Sequence, residues 1–135
     1  MFDTNILFSS VGWKGKPFEC LELARAGEIE GVTCPEILQE LAEKLTVKLS
    51  IAPEQVVATL ADLLTFLRPV SIPGILKAVS ADPDDDKVLE CAEMGGPNHI
   101  ITGDGRHLLP LGNFKSIPIV TAADFLLAVA KSRGP

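Results

Sequence analysis

Short β-prone runs alternate with amphipathic helices along this chain, an order that predicts an α/β fold with a mostly parallel sheet covered on both faces. Three observations carry the prediction. Gly31-Val32-Thr33-Cys34 is a compact strand signal, followed at once by Pro35-Glu36 and a helical stripe. His99-Ile100-Ile101-Thr102 is a second strand signal, reached from a helix through the Gly95-Gly96-Pro97 turn. Ile117-Pro118-Ile119-Val120 is a third, and Thr121-Ala122-Ala123-Asp124 after it has the form of a capping box that opens a last helix.

The chain has 135 residues, the size of one ordinary domain, and a single domain over residues 1–135 is expected. With 47% hydrophobic and 22% charged residues, it can build a packed core and does not resemble a disordered chain. A formal net charge of -6 argues against binding nucleic acid through a broad basic surface, so a polyanionic substrate would need metal ions or a partner to offset that charge. No apolar run approaches the roughly 18 residues of a membrane span, and the first residues lack signal-peptide order. A cytoplasmic protein without membrane association is therefore expected. Cys20, Cys34 and Cys91 are widely spaced in apolar patterns, which predicts buried free thiols rather than disulfides or a zinc site.

Taken in order, Met1-Phe2 is a very short or clipped first strand ending at Asp3, followed by Thr4-Asn5 and another apolar run. Asp-Thr-Asn is also good turn and N-cap chemistry, and spacing alone favours that reading of Asp3. Pro17 suits a first helical turn, with Phe18, Leu21 and Ala24 as its stripe and Gly27 as its stop. The helix from Pro35 buries Ile37, Leu38, Leu41 and Leu45, and Glu40 lies at the margin of that face. By periodicity Glu40 is a surface partner of Lys44 one turn on. Ala52-Pro53-Glu54 opens a helix carrying Val56, Val57, Leu60, Leu63, Leu64 and Leu67, closed by Pro69 before a peripheral strand Val70-Ser71-Ile72-Pro73. Arg106-His107-Leu108-Leu109 reads as a helical turn stopped by Pro110, and Pro118 marks the last strand as an edge.

Residues 81–104 organise the rest. Asp82, Asp84, Asp85 and Asp86 crowd the start of a helix that buries Val88, Leu89, Ala92 and Cys91, and Asp104 stands just past the strand Ile100-Ile101-Thr102. A helix N-terminus favours one or two carboxylates; four within five residues repel one another unless a cation lies among them, and Lys87 alone is too little. In open α/β sheets ligands bind at the carboxyl ends of strands, so Asp104, the acidic helix start and, in a parallel sheet, Asp3 reach one crevice. Hard oxygen donors of this kind suit Mg²⁺ or Mn²⁺. Glycine-rich nucleotide motifs and a G-x-S-x-G elbow are absent.

Asp3-Thr4-Asn5, Glu40 in Ile37-Leu38-Gln39-Glu40-Leu41, the run Asp82-Pro83-Asp84-Asp85-Asp86 with Leu89 and Ala92, and Ile101-Thr102-Gly103-Asp104 together resemble the PIN-domain (PilT N-terminus) ribonucleases. The resemblance spans almost the whole chain and is nearest to the toxins of toxin–antitoxin systems. It implies a three-layer α/β/α sandwich and a metal-dependent endoribonuclease whose catalytic and metal-binding residues are Asp3, Glu40, Asp86 and Asp104. Asn5, Thr102 and Asp85 are implied as supporting residues, Mg²⁺ or Mn²⁺ as cofactor and RNA as substrate. Asp86 is preferred within its cluster from its spacing to Leu89 and Ala92. The resemblance also lifts Glu40 from the surface to the site, and implies an antitoxin over the acidic crevice and self-association through apolar helices. The chain departs from the family in having only Met1 and Phe2 before the first aspartate.

One or two ions held by these carboxylates would activate water and neutralise the phosphoryl oxygens. Lys14, Lys16, Arg106 and His107 are candidate phosphate contacts. The alternative is a catalytically weak PIN-fold RNA-binding or regulatory module. A receiver-like domain is disfavoured because no later strand-end lysine is evident.

Overall fold

The computed structural model describes residues 1–76 and 83–133. Asp82, counted above in the acidic cluster, lies outside them. The fold is α/β, with helices α1 (Thr4–Gly12), α2 (Lys16–Arg25), α3 (Pro35–Leu49), α4 (Pro53–Leu64), α5 (Pro83–Gly95) and α6 (Ala122–Arg133). The strands are β1 (Gly31–Thr33), β2 (Leu67–Pro69), β3 (Ile100–Ile101), β4 (Asn113–Phe114) and β5 (Ile117–Val120).

Two ladders form the sheet framework. β1 pairs parallel with β2, Gly31 opposite Leu67, and all three residues of β1 are buried. β3 pairs parallel with β5, and β4 adds to β5 antiparallel. The two residues ahead of Asp3 do pair: Ile101 N–H donates to Met1 O at 2.9 Å and Asp3 N–H to Ile101 O at 3.0 Å, one parallel bridge between Phe2 and Ile101. Phe2 also reaches the other ladder. A Cβ built on Gly31 would stand 2.3 Å from Leu67 Cδ2 and 3.1 Å from Phe2 Cε2, so this position needs glycine for close approach. Gly31→Ala is expected to cost about 1–3 kcal/mol by overpacking, seen as a lower urea midpoint at unchanged m. An unchanged midpoint would mean that Leu67 swings aside freely.

Several expectations shift. A helix over Thr4–Gly12 is not apparent in the sequence, where Ile6-Leu7-Phe8 is contiguous; it forms because Ile6, Leu7 and Ser10 recur at helical spacing on a buried face. The peripheral strand expected at Val70–Pro73 lies three residues earlier, as β2. Leu67 leaves the helix because α4 closes at Thr65, and it is buried in the β1 ladder instead. Val57 and Leu64, expected on the buried face of α4, are exposed. Pro110 does not stop the turn after Asp104 but sits inside a 3₁₀ turn, Leu109–Leu111. β5 is flanked on both sides, so Pro118 is not on an edge strand. Its missing N–H is tolerated because the β3 pairing begins at Ile119, one residue later.

Other expectations hold. Ile37, Leu38, Leu41 and Leu45 of α3 are buried, as are Val88, Leu89, Cys91 and Ala92 of α5. The three cysteines are free and buried. Thr121 Oγ accepts from Asp124 N–H at 3.1 Å, the first half of the capping box. Among the described residues, no helix is long and apolar enough to cross a membrane.

Candidate active site

Asp3 occupies the N-cap position of α1 in extended backbone, yet its carboxylate does not cap that helix. Instead Oδ2 accepts from Thr102 Oγ1 at 2.7 Å, ninety-nine residues away. The same hydroxyl accepts from Asp104 N–H at 3.0 Å. Asp104 Oδ1 in turn accepts the N–H groups of Arg106 and His107, both at 3.0 Å, a local side-chain turn that fixes the carboxylate after the strand. Because Phe2 and β3 run parallel, both aspartates emerge at the same edge of the framework.

Two helix starts face that edge. A cavity of about 740 Å³ is lined by Asp3 and Asn5 from the first segment, Glu36, Gln39, Glu40, Glu43 and Lys44 from α3, Asp84, Asp85 and Lys87 from α5, and Asp104, Arg106 and His107 beyond β3. Among these described residues seven are acidic and three are lysine or arginine, so a cation is favoured inside.

Glu40 is not the simple surface partner of Lys44. Lys44 Nζ lies 3.9 Å from it, whereas Lys87 Nζ reaches across from α5 to within 2.5 Å. Lys44 makes its closer contact with Asn5 Oδ1, at 2.6 Å. Lys87 also lies 3.7 Å from Asp84. Burial opposes the charge of Lys87, but the hydrogen bond and charge of Glu40, helped by Asp84, outweigh it and hold the ammonium above its ordinary pKa.

The two central aspartates are tuned in opposite directions. Burial pushes the Asp3 carboxyl up, against the pull of the Thr102 hydroxyl and the Thr4 N–H and with the help of the Glu40 charge. Partial burial also pushes at Asp104, but hydrogen bonds from His107 and Arg106 N–H and from Asp85 prevail and hold it below the usual carboxylate range.

The structure thus brings Asp3, Asn5, Glu40, Asp85 and Asp104 to one cavity, with Thr102 as the joint beneath it. Asp86 is buried and does not line the cavity, although Asp85 and Lys87 on either side do. Of the candidate phosphate contacts, Arg106 and His107 line it; Lys14 and Lys16 do not. Sequence reasoning passes over Lys87 as a site residue; its position directly after three aspartates is the available signal. Among the described residues, no three Asp, Glu, His or Cys groups are gathered closely enough to share one metal ion.

A PIN-domain family model matches residues 1–106, a span that contains every acidic residue of this cavity. No curated protein and no solved structure matches the chain. With a match over most of its length, the chain belongs to the PIN-domain family, whose fold is that of nucleases.

Proposed function

We propose that this PIN domain is a metal-dependent endoribonuclease that hydrolyses RNA phosphodiester bonds, the toxin of a toxin–antitoxin pair. The observation that carries the nuclease reading is the convergence of the Asp3 carboxylate and the Asp104 backbone N–H on the Thr102 hydroxyl, which sets both aspartates at a cavity that Asp84, Asp85 and Glu40 also line. The toxin role, an antitoxin over the cavity, self-association and a three-layer sandwich rest on the family resemblance; the cytoplasmic setting rests on the absence of signal-peptide order and of a long apolar run in the sequence.

The donor chemistry suits Mg²⁺ or Mn²⁺: hard carboxylate oxygens with no thiolate in the cavity lining. Among the described residues no three of these groups already stand together, so binding would draw a further acidic side chain inward. We assign Asp3, Asp104 and an α5 aspartate to holding the ion and Glu40 to the far wall. When bound, a divalent ion polarises a phosphoryl oxygen and lowers the pKa of water. The chain's own part is to fix the acids. Thr102 orients Asp3, and the N–H groups of Arg106 and His107 orient Asp104. Arg106 and His107 at the cavity wall offer contacts to substrate phosphates.

Purified protein incubated with a mixed RNA pool is expected to cleave it only with Mg²⁺ or Mn²⁺, and Asp104→Asn is expected to lower the rate about 10²-fold or more. Metal-independent cleavage, or cleavage that survives in the variant, would overturn the reading. Asp85→Asn and Asp86→Asn side by side assign the α5 ligand. The cavity position of Asp85 predicts the larger loss there; a larger loss in Asp86→Asn returns the role to the residue chosen by spacing.

The rival, a PIN-fold module with little turnover, draws support from Glu40, whose carboxylate is taken up by Lys87 and Lys44. Metal-dependent thermal stabilisation without RNA cleavage would favour it.

A further inference from the structure

The acidic cavity has two chemically different ends. At one, the Thr102 hydroxyl joins the Asp3 carboxylate to the Asp104 backbone N–H, and among the described residues neither aspartate is ion-paired to a lysine or arginine. At the other, Glu40 lies between two ammonium groups, Lys87 at 2.5 Å and Lys44 at 3.9 Å. Lys87 also spans the cavity, since Glu40 belongs to α3 and Asp84, 3.7 Å from the same nitrogen, to α5.

We propose that Lys87 is a built-in cation standing where a second divalent ion would otherwise sit, so that the cavity takes a single ion, at its Asp3–Asp104 end. This inference rests on the metal-dependent nuclease reading. Two-metal nucleases clamp the phosphate between ions about 3.5–4 Å apart, each neutralised by its own carboxylates. Here the carboxylates available at the second position, Glu40 and Asp84, are already bridged by one ammonium. A divalent ion entering there would have to displace Lys87 or sit beside it and Lys44, with like charge at contact distance. Lysine suits the substitution because its ammonium is a compact point charge with three rotatable donors, able to hold Glu40 and offer a further proton to a phosphate oxygen. The Lys87 and Glu40 side chains are 22% and 20% exposed, so the pair is shielded but not sealed from a substrate in the cavity. On this account Glu40 is a positioning residue that holds Lys87, and not a metal ligand.

Isothermal titration of RNA-free protein with Mn²⁺ tests the assignment without depending on turnover. The wild-type chain is expected to bind one ion. Lys87→Met, which removes the ammonium between Glu40 and Asp84, is expected to bind two, and Lys87→Arg, which restores the cation, one. Glu40→Gln, which removes one charge from the cavity but no ligand, should lower Mn²⁺ affinity only about two- to threefold, whereas Asp104→Asn should lower it about tenfold or more. Circular dichroism and thermal midpoints establish that each variant is folded, and the Glu40→Gln measurement stands should Lys87→Met fail to fold. Two ions in the wild type, one ion in folded Lys87→Met, or a large affinity loss in Glu40→Gln would overturn the inference and leave the nuclease reading standing. No Mn²⁺ bound by the wild type would overturn both.

Discussion

Asp3→Asn is expected to lower RNA cleavage about 10²-fold or more and, at neutral pH, to make the protein more stable than wild type. The first effect follows from removing a charge at the site while the amide oxygen keeps the bond from Thr102. The second follows from burial. Asp3 is 4% exposed, and desolvation raises its carboxyl above the ordinary aspartate value. For an acid whose folded pKa is raised, the folded state keeps a proton that the unfolded chain has already lost. Stability is therefore fully present below the ordinary pKa, falls as pH climbs through the raised one, and stays reduced above it. Asparagine cannot ionise and escapes that loss. Thermal unfolding of both proteins should show a higher midpoint for Asp3→Asn at pH 7 and a gap that closes below about pH 3.9. Mn²⁺ should raise the wild-type midpoint at pH 7 and leave the variant nearly unmoved. A variant less stable than wild type at pH 7, or one that still cleaves, contradicts the account. A functional charge that destabilises its own fold is a familiar trade.

Glu90→Ala should produce the largest loss of stability among polar substitutions outside the cavity, about 1–3 kcal/mol by urea unfolding. Glu90 is 4% exposed on α5 and its carboxylate accepts three backbone N–H groups: Gly74 at 3.0 Å on one oxygen, Ile75 at 2.9 Å and Leu76 at 3.1 Å on the other. Such a nest of donors around an anion is strong because each bond is charge-assisted. Glu90→Gln is expected to fail as well, since either orientation of the amide turns an NH₂ group toward backbone donors. Faster proteolysis within residues 70–76 in both variants would locate the damage. A urea midpoint equal to wild type in Glu90→Ala would mean that water replaces the carboxylate fully, and the anchoring role would fall.

Much of this fold is legible in the sequence because local signals and burial agree. Pro17, Pro35 and Pro53 each stand in the first turn of a helix, and the stripes on α3 and α5 face the core as their spacing requires. Legibility fails where tertiary pairing decides. Leu67 fits the α4 stripe by spacing but is taken by Gly31 across the β1 ladder. α1 is hidden by a contiguous apolar run, and Pro118 misleads because a two-residue β4 flanks it. At the site, Asp3 reads locally as a cap, and only the contact with Thr102 separates cap position from cap function. Periodicity finds the Glu40–Lys44 pair but not Lys87, which arrives from another helix. Glu90 is obscured by its apolar neighbours Leu89 and Cys91, where one acid at a buried position was the signal.

The hydroxyl joint between Asp3 and Asp104 also sets an order in time. Its bond to Asp3 closes a sequence separation of 99 residues, and the bridge that aligns Phe2 with Ile101 is of the same length. Contacts that distant form late, after the loop between them has been closed and its entropy lost. During synthesis, Asp3 leaves the ribosome long before Thr102 exists. A nascent or truncated chain lacking residues 100–104 therefore carries Asp3, Glu40 and the α5 acids without the strand that gathers them. If the assembled cavity is what cuts RNA, the ribosome making this protein is exposed to no competent active site until residues 100–104 have been made and have emerged.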